Sequence, residues 1–523
     1  MGNLEWDTSS GWDLQSHLDM PSAREIELDL ALGSDSWQSL LVTDKPFPTP
    51  TPADRHAIVI GGSMAGLLAA RVLADHFDRV TIVDRDRLPV EARFRAGVPQ
   101  SRHLHALLRR GLSVLDELFP GLESELLGAG AVRLTGADFL RMSAAGWARR
   151  FDGPPLIAAT RELIEWSVRS RTLQHPKVSV LPEQEVVGLL ATPNRPAVAG
   201  IQIRARGSHR HQKLTAGLYG ELVIDASGRG SKAPEWLESL GYAKPEETRI
   251  NSFLGYASCV FAPGPGFQAD WKVLMLGDKP PSMPRAGALF PIEGHRWMVT
   301  LAGYGRDYPP TNMAGFMEFA RSLRSDILYQ TIKDAEPLSR ISGFRSTLNQ
   351  RRHFESLTQW PDNFVVLGDA ACAFNPVYGQ GMSVAAMTAV ALKQGLQEHE
   401  QRHGPGDLTG FARRMQRKVA KTSQGAWVIA TGADVRYPTT EGRQPGLVDR
   451  VMQAYFDRVI EVSMQDATVN KAFLRVVHLL DAPPALFRPA VALRALAGGR
   501  QPIVEPPIGE RQAASVGQVL TPV

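Results

Sequence analysis

The sequence predicts an α/β protein with a doubly wound parallel sheet, a strand-rich insertion and a helical C-terminal part. Three observations predict it. Ala57-Ile58-Val59-Ile60 is apolar at every position, as a strand buried on both faces of a parallel sheet must be. A glycine turn, a helix from Met64 to about His76 and a second apolar run, Val80-Thr81-Ile82-Val83, complete a βαβ unit. Far along the chain, Phe364-Val365-Val366-Leu367 reads as another buried strand, followed by a glycine-containing loop and a helix from Met382 to about Leu396.

Each element has a local reason. Leu67, Ala70, Leu73 and Ala74 fall on one stripe of the first helix. Helical periodicity recurs from about Arg102 to Leu118 and from Arg161 to about Leu173. Alternating strands occupy 177–225 and end in Leu222-Val223-Ile224-Asp225. Residues 250–305 are strand-rich, with turns at Gly264-Pro265-Gly266 and Glu293-Gly294. From 405 to about 500 the pattern is helical, broken by Pro483-Pro484 and Pro489. Residues 1–55 read as an acidic appendage. Its Pro46-to-Pro52 stretch is a semi-rigid linker, and Ile26, Leu28, Leu30 and Leu32 offer either a short amphipathic helix or a disordered tail.

Composition excludes several classes. With 43% hydrophobic and 21% charged residues, the chain is neither fibrous nor wholly disordered. Two cysteines, Cys259 and Cys372, rule out a disulfide framework and fit a reducing, cytoplasmic setting. No apolar run reaches the ~18 residues of a membrane-spanning helix. The first residues lack the basic and apolar regions of a secretory signal, and Trp6 stands where a myristoylation signal takes Ser or Thr. Residues 1–55 hold ten acids and three bases, so the rest carries +11 of an overall +4. A basic body suits an anionic cofactor. No zinc-finger spacing or aromatic-basic motif points to nucleic acid.

The first chemical motif is Gly61-Gly62-Ser63-Met64-Ala65-Gly66, between a strand and a helix. Gly61 allows a tight turn, Gly66 allows close helix–strand packing, and the helix N-terminus offers N–H groups to a pyrophosphate. Ser63 replaces the middle glycine. Asp84, 18 residues after Gly66, is placed to accept from ribose hydroxyls. This motif alone leaves NAD and FAD open. The second motif runs from Gly368-Asp369 through Asn375-Pro376-Val377-Tyr378-Gly379-Gln380-Gly381-Met382-Ser383. Asp369 either accepts from ribityl or ribose hydroxyls or caps a helix, and the helix starting near Gly381 aims its N–H groups at developing negative charge.

Together these motifs resemble the flavoprotein aromatic hydroxylases, of which para-hydroxybenzoate hydroxylase is typical. The resemblance implies a Rossmann-like FAD-binding domain of the glutathione reductase/aromatic hydroxylase type with an inserted antiparallel β-rich substrate domain. It implies Asp369 on the ribityl chain, Pro376 against the isoalloxazine, and Gly379, Gln380, Gly381 and Met382 stabilising reduced flavin. It also implies Arg95 at the FAD pyrophosphate and Arg161 facing the cofactor. Arg85, Arg102, Asp225 and Gly228 complete the cofactor-facing set, with Gly61, Ser63, Met64, Ala65, Gly66 and Asp84. Without the family, Arg95 and Arg161 would read as solvated charges. The Asp225-Ala226-Ser227-Gly228-Arg229-Gly230-Ser231-Lys232 segment departs from the family at Ala226 and Lys232, so electrons from NADPH or NADH are expected directly or through a separate flavin reductase.

Gly97-Val98-Pro99-Gln100-Ser101-Arg102-His103-Leu104-His105 and Phe290-Pro291-Ile292-Glu293-Gly294-His295-Arg296-Trp297 add a resemblance to the FAD-dependent epoxidases of bacterial polyether biosynthesis, distantly similar to squalene epoxidase. It covers roughly 56–480. It implies a monooxygenase of secondary metabolism and antibiotic biosynthesis. Such an enzyme inserts one oxygen atom from O2 through a flavin C4a-hydroperoxide into the alkene of an apolar polyketide or terpenoid, free or carrier-bound. Alkene epoxidation requires no protein base, so no side chain is assigned to bond making. An aromatic hydroxylase, a prenyl-chain reductase, a halogenase (lacking its Trp-x-Trp-x-Ile-Pro motif here) and a non-catalytic scaffold are the alternatives. The implied organisation is an extension at 1–55, an FAD-binding domain at 56–135, 155–245 and 356–400, a substrate domain at 136–154 and 246–355, and a helical region at 401–523. His103 and His105 form a pair without a third ligand, so no metal is expected. Cys372 reads as a small buried residue. Phe253, Tyr256, Phe290, Trp297 and Tyr304 read as core more readily than as a substrate cage.

Overall fold

The structure, a computed structural model, describes residues 54–193, 196–207, 215–497 and 502–508. The expected helix around Ile26–Leu32 and the proline-rich linker lie outside the described residues. The elements that build the site run, in chain order, β1 (His56–Ile60), α1 (Met64–Leu73), β2 (Arg79–Val83), α2 (Arg109–Leu118), β3 (Phe139–Ser143), α3 (Arg161–Leu173), β4 (Val178–Leu181) and β5 (Leu222–Asp225). Then come β6 (Gly255–Ala262), β7 (Val273–Leu276), β8 (Arg285–Ile292), β9 (Arg296–Gly303), α4 (Met313–Arg321), β10 (Phe364–Val366) and α5 (Gly381–His403). The chain closes with α6 (Phe411–Asp434), α7 (Leu447–Ser463), α8 (Ala467–Val477) and α9 (Pro489–Ala497).

Five strands form a parallel sheet in the order β10-β5-β1-β2-β4. Every residue of β1 is buried, because α1 covers it and packs in turn on α3 and α5. The strand order reverses direction at β1, so the C-terminal ends of β1 and β5 open a crevice beside the start of α1. On the open side of β10, Gln416 clamps Val366: its Oε1 accepts the Val366 N–H and its Nε2 donates to the Val366 carbonyl, both at 3.0 Å.

A second sheet of eight strands includes the path β6-β9-β8-β7-β3. The expectation of an antiparallel insertion needs one correction. β7 and β3 run parallel, whereas β6, β9, β8 and β7 pair antiparallel. Leu140, Leu274, Leu289 and Val299 fill one face with Phe316 of α4. On the other face, Val273 and Phe290 pack with Leu134, Leu156 and Ala158.

Three element boundaries differ from expectation. The helix expected from Arg102 begins at Arg109, because Pro99–Arg102 forms a 3-10 turn and Ala106–Leu107 pairs with Ala158 and Ile157. α5 runs past Leu396 to His403, ending at Gly404 with φ of 81°. Pro489 opens α9 instead of breaking a helix, since the first helical position has no N–H to lose.

Candidate functional site

The turn after β1 needs its glycines. Gly61 has φ of 97°, and a Cβ there would lie 2.6 Å from the Ala226 carbonyl oxygen. A Cβ on Gly66 would lie 1.8 Å from the Gly61 oxygen. β1, α1 and the turn after β5 therefore meet at contact distance. Ser63 is the N-cap of α1, but its side chain does not cap, and the first turn has no acidic residue. The first amides of α1 have no intrahelical acceptor, which leaves a positive end suited to a phosphate.

Ser63 donates instead to Glu165 Oε2, at 2.8 Å. Glu165 sits on α3 between Arg161 and Arg169, and all three are at most 6% exposed. Its Oε1 accepts from Arg95 Nε at 2.9 Å and its Oε2 from Arg161 Nη2 at 2.8 Å. Burial alone would raise its pKa; Arg161 and Arg95 outweigh burial and hold it at about 2. Arg95 also reaches Asp86 at 3.1 Å, Asp84 at 3.5 Å and the Gly62 carbonyl at 3.1 Å. Arg95 and Arg161 thus stand together at the start of α1, joined through a carboxylate that sequence reasoning missed. Four-residue spacing of Arg161, Glu165 and Arg169 was the available signal. They line a shallow depression with Arg93, Ser101 and Glu162.

Asp84 is buried and accepts from the N–H groups of Gly62 (2.6 Å) and Asp86 (2.7 Å), so it orders the turn. Arg102 stacks on the Phe94 ring at 3.8 Å, and Arg85 is exposed. Neither joins the arginine cluster. Asp225 is fully buried and closes its own turn, accepting from Ser227 N–H (2.9 Å) and Ser231 Oγ (2.5 Å). Lys232 is on the surface near Glu235.

The second motif comes to the first through Gly368. Its φ is 62°, and a Cβ there would lie 2.7 Å from the Ala65 Cβ. Asp369 follows, with 40% of its side chain accessible. Enclosure still raises its carboxyl pKa, with Arg229 at 3.8 Å opposing the rise. An accessible group that is also desolvated lines a cleft. Arg229 donates to the carbonyls of Leu348 and Phe374, which ties the turn after β5 to the second motif.

The loop before α5 holds a buried acceptor without a partner among the described residues, Gln380 Oε1, at 2% residue exposure. Beside it is space: a Cβ on Gly379 or Gly381 would meet nothing within 4 Å. A buried unpaired polar atom next to open space fits a polar ligand. Ser383 Oγ, also unpartnered, lies inside α5 and faces Gly111 of α2, where a Cβ would be 2.5 Å from it. Pro376 is half-buried in this loop, while Met382 packs into the core. The loop is anchored by Asp434, the fully buried last residue of α6. It accepts from Asn349 Nδ2 (2.6 Å), Asn375 Nδ2 (3.1 Å) and the Tyr378 hydroxyl (2.7 Å). Burial raises its pKa to about 6 against those hydrogen bonds. A lone Asp in a long helix carries no signal in sequence spacing.

His103 Nδ1 lies 2.8 Å from Ser258 Oγ, and its ring meets Tyr256 edge-on at 4.6 Å. Burial lowers His103 to about 3 and His105 to about 4, so both are neutral at physiological pH. Among the described residues no group of three or more His, Cys, Asp or Glu could hold a metal ion. Cys372 is buried, which pushes its thiol up to about 12 and leaves it no nucleophile. Tyr256, Phe290, Trp297 and Tyr304 are all buried. No described helix is long and apolar enough to cross a membrane.

No protein-family model matches the chain. Protein Rv3254 of Mycobacterium tuberculosis is 30% identical over 440 residues, covering 82% of this chain and 90% of the relative. The flavin-dependent brominase Bmp2 shares the fold, with a TM-score of 0.59 at 16% identity, over 83% of this chain and 98% of its own. PqsL, a probable FAD-dependent monooxygenase from Pseudomonas aeruginosa, does so with a TM-score of 0.55 at 17% identity, over 73% and 96%.

Proposed function

Since the chain belongs to the family of Protein Rv3254 and has the fold of flavin-dependent monooxygenases and halogenases, we propose that it is an FAD-dependent monooxygenase that epoxidises alkenes of an apolar polyketide or terpenoid. One observation carries the reading. Gln380 Oε1, buried and without a partner among the described residues, sits in the loop before α5 between Gly379 and Gly381, where an added Cβ would meet open space. Gly368 holds the start of that motif against the first turn of α1.

The residues fit FAD. The open start of α1 would take the pyrophosphate, with Arg161 close by. Asp369 would accept from the ribityl chain. The start of α5, with Gln380, would face the flavin ring and favour its anionic reduced form. Bound FAD supplies oxygen activation and transfer. The chain's own part is to orient the alkene and exclude water, with Tyr256 of β6 beside His103 as the buried aromatic surface. Electrons come from NADPH or NADH, directly or through a reductase. The exposure of Lys232, at the end of the turn after β5 and 3.9 Å from Glu235, supports the indirect route.

The test is product mass with labelled dioxygen. FAD-loaded protein is given NADPH, a flavin reductase and an alkene panel of oleic acid, farnesol and squalene. A product carrying one labelled oxygen is expected. A product two hydrogens heavier, with no dioxygen consumed, would replace this reading with a reductase.

A further inference from the structure

The buried arginines near the start of α1 are already balanced. Arg95 meets Asp84, Asp86 and Glu165, while Arg161 and Arg169 also meet Glu165. Three carboxylates against three guanidiniums leave this inner cluster no net charge with which to attract an anion from a distance. Such a pull must come from charges outside it.

The segment from Arg85 to Arg102, which follows β2, supplies them. Arg85, Arg87, Arg93 and Arg102 are exposed there, against one exposed carboxylate, Glu91. Glu91 is taken by Arg93 at 2.7 Å. Arg85, Arg87 and Arg102 have no carboxylate within ion-pair distance among the described residues; Arg102 lies over the Phe94 ring at 3.8 Å, a contact that leaves its charge in place. The segment is tied to α3. Trp166 Nε1 donates to the Val90 carbonyl and Arg169 Nη2 to the Pro89 carbonyl, each at 2.6 Å. Arg95 anchors it from inside through Glu165. Arg93 lines the same shallow depression as Arg95 and Arg161, so the segment is the rim of that depression. Unpaired charges of one sign, held in place beside an anion site, concentrate positive potential there.

We propose that Arg85, Arg87 and Arg102 form a cationic rim that captures FAD from solution by its pyrophosphate and sets the rate of cofactor uptake. Arg85 and Arg102, which stand outside the buried cluster, thereby gain a part in cofactor loading. The proposal deepens the FAD-dependent reading and rests on it. It suits flavin supplied by a separate reductase: reduced flavin reacts with dioxygen in solution, so fast capture delivers more of it in the reduced form. Steering of this kind raises association about 10- to 1,000-fold. It works over about one Debye length, ~10 Å at 0.1 M salt, and fades as salt rises.

Stopped-flow flavin fluorescence, with the full-length chain stripped of flavin and mixed with FAD, tests it. Association is expected to slow at least tenfold between about 10 mM and about 0.5 M salt. At the lower salt, Arg85→Glu/Arg87→Glu/Arg102→Glu should slow it about tenfold or more and leave dissociation within about threefold. Arg85→Gln/Arg87→Gln/Arg102→Gln, a milder change should the first variant not fold, should give a smaller loss of the same kind. The control is Arg413→Glu/Arg417→Glu/Lys421→Glu, three exposed positions on α6, which packs at the β10 edge of the sheet. It changes the net charge equally and should leave association within about twofold. Salt-independent association, a loss carried by dissociation, or an equal loss in the control overturns the proposal. FAD uptake at a rate indifferent to the rim would sink this proposal alone; no FAD uptake by the unaltered chain would sink the monooxygenase reading with it.

Discussion

Glu165 brings one negative charge into a place where water is excluded and three guanidiniums converge. Removing its charge leaves Arg95, Arg161 and Arg169 facing one another. Glu165→Gln is expected to cost about 3 kcal/mol, as breaking a buried pair does, and to weaken FAD retention. Urea unfolding and flavin content check both. Its folded pKa is depressed to about 2, so the stability it contributes is present above the usual ~4.3 and is lost as pH falls toward 2. Asp434 has the opposite sign. Its folded pKa of about 6 is above the usual ~3.9, so folding takes up a proton between those values. Stability from this group rises as pH falls from about 7 to about 4, and the charged form costs stability above that range. Unfolding free energy measured from pH 5 to pH 8 should fall across that interval. Asp434→Asn should flatten the curve, and an unchanged slope would remove Asp434 as its source. Glu165 is marked in the sequence only by its four-residue spacing from Arg161 and Arg169, and nothing in the spacing around Asp434 marks it as inward-facing.

At the scale of elements, glycines decide whether α1 can approach β1. A Cβ at Gly66 meets backbone, which cannot swing away as a side chain could. Gly66→Ala should therefore lose about 3 kcal/mol or the fold altogether, whereas Gly379→Ala meets only strain from its φ of 65°. Thermal melts and flavin content separate these outcomes. The Gln416 clamp works similarly on β10. Gln416→Leu strands the Val366 N–H and carbonyl, and should cost about 2 kcal/mol, read by chemical denaturation. The strands β1, β2, β5 and β10 were legible because a parallel sheet buried on both faces demands unbroken apolar runs. The start of α2 was not. Its preceding residues have helical periodicity, but a 3-10 turn and a pairing with Ala158 and Ile157 override it.

The whole molecule joins three separated parts of the chain at one crevice. The helical C-terminal part is structural to it: α6 supplies Gln416 to the parallel sheet and Asp434 to the loop before α5. A chain ending at Gly404 should lose flavin binding and cooperative unfolding, as followed by flavin fluorescence and circular dichroism. The sequence by itself determined the βαβ start, the glycine turn and the helices bearing Arg161 and Met382. These follow from local rules: periodicity, positive φ and helix ends. Only the tertiary structure decided that Arg95 and Arg161 share Glu165, that Asp84 and Asp225 order their own turns, and that Arg102 lies on Phe94. The reason is physical. A side chain's charge is written in the sequence, but its partner and its share of water are set by whichever distant strand or helix folds against it.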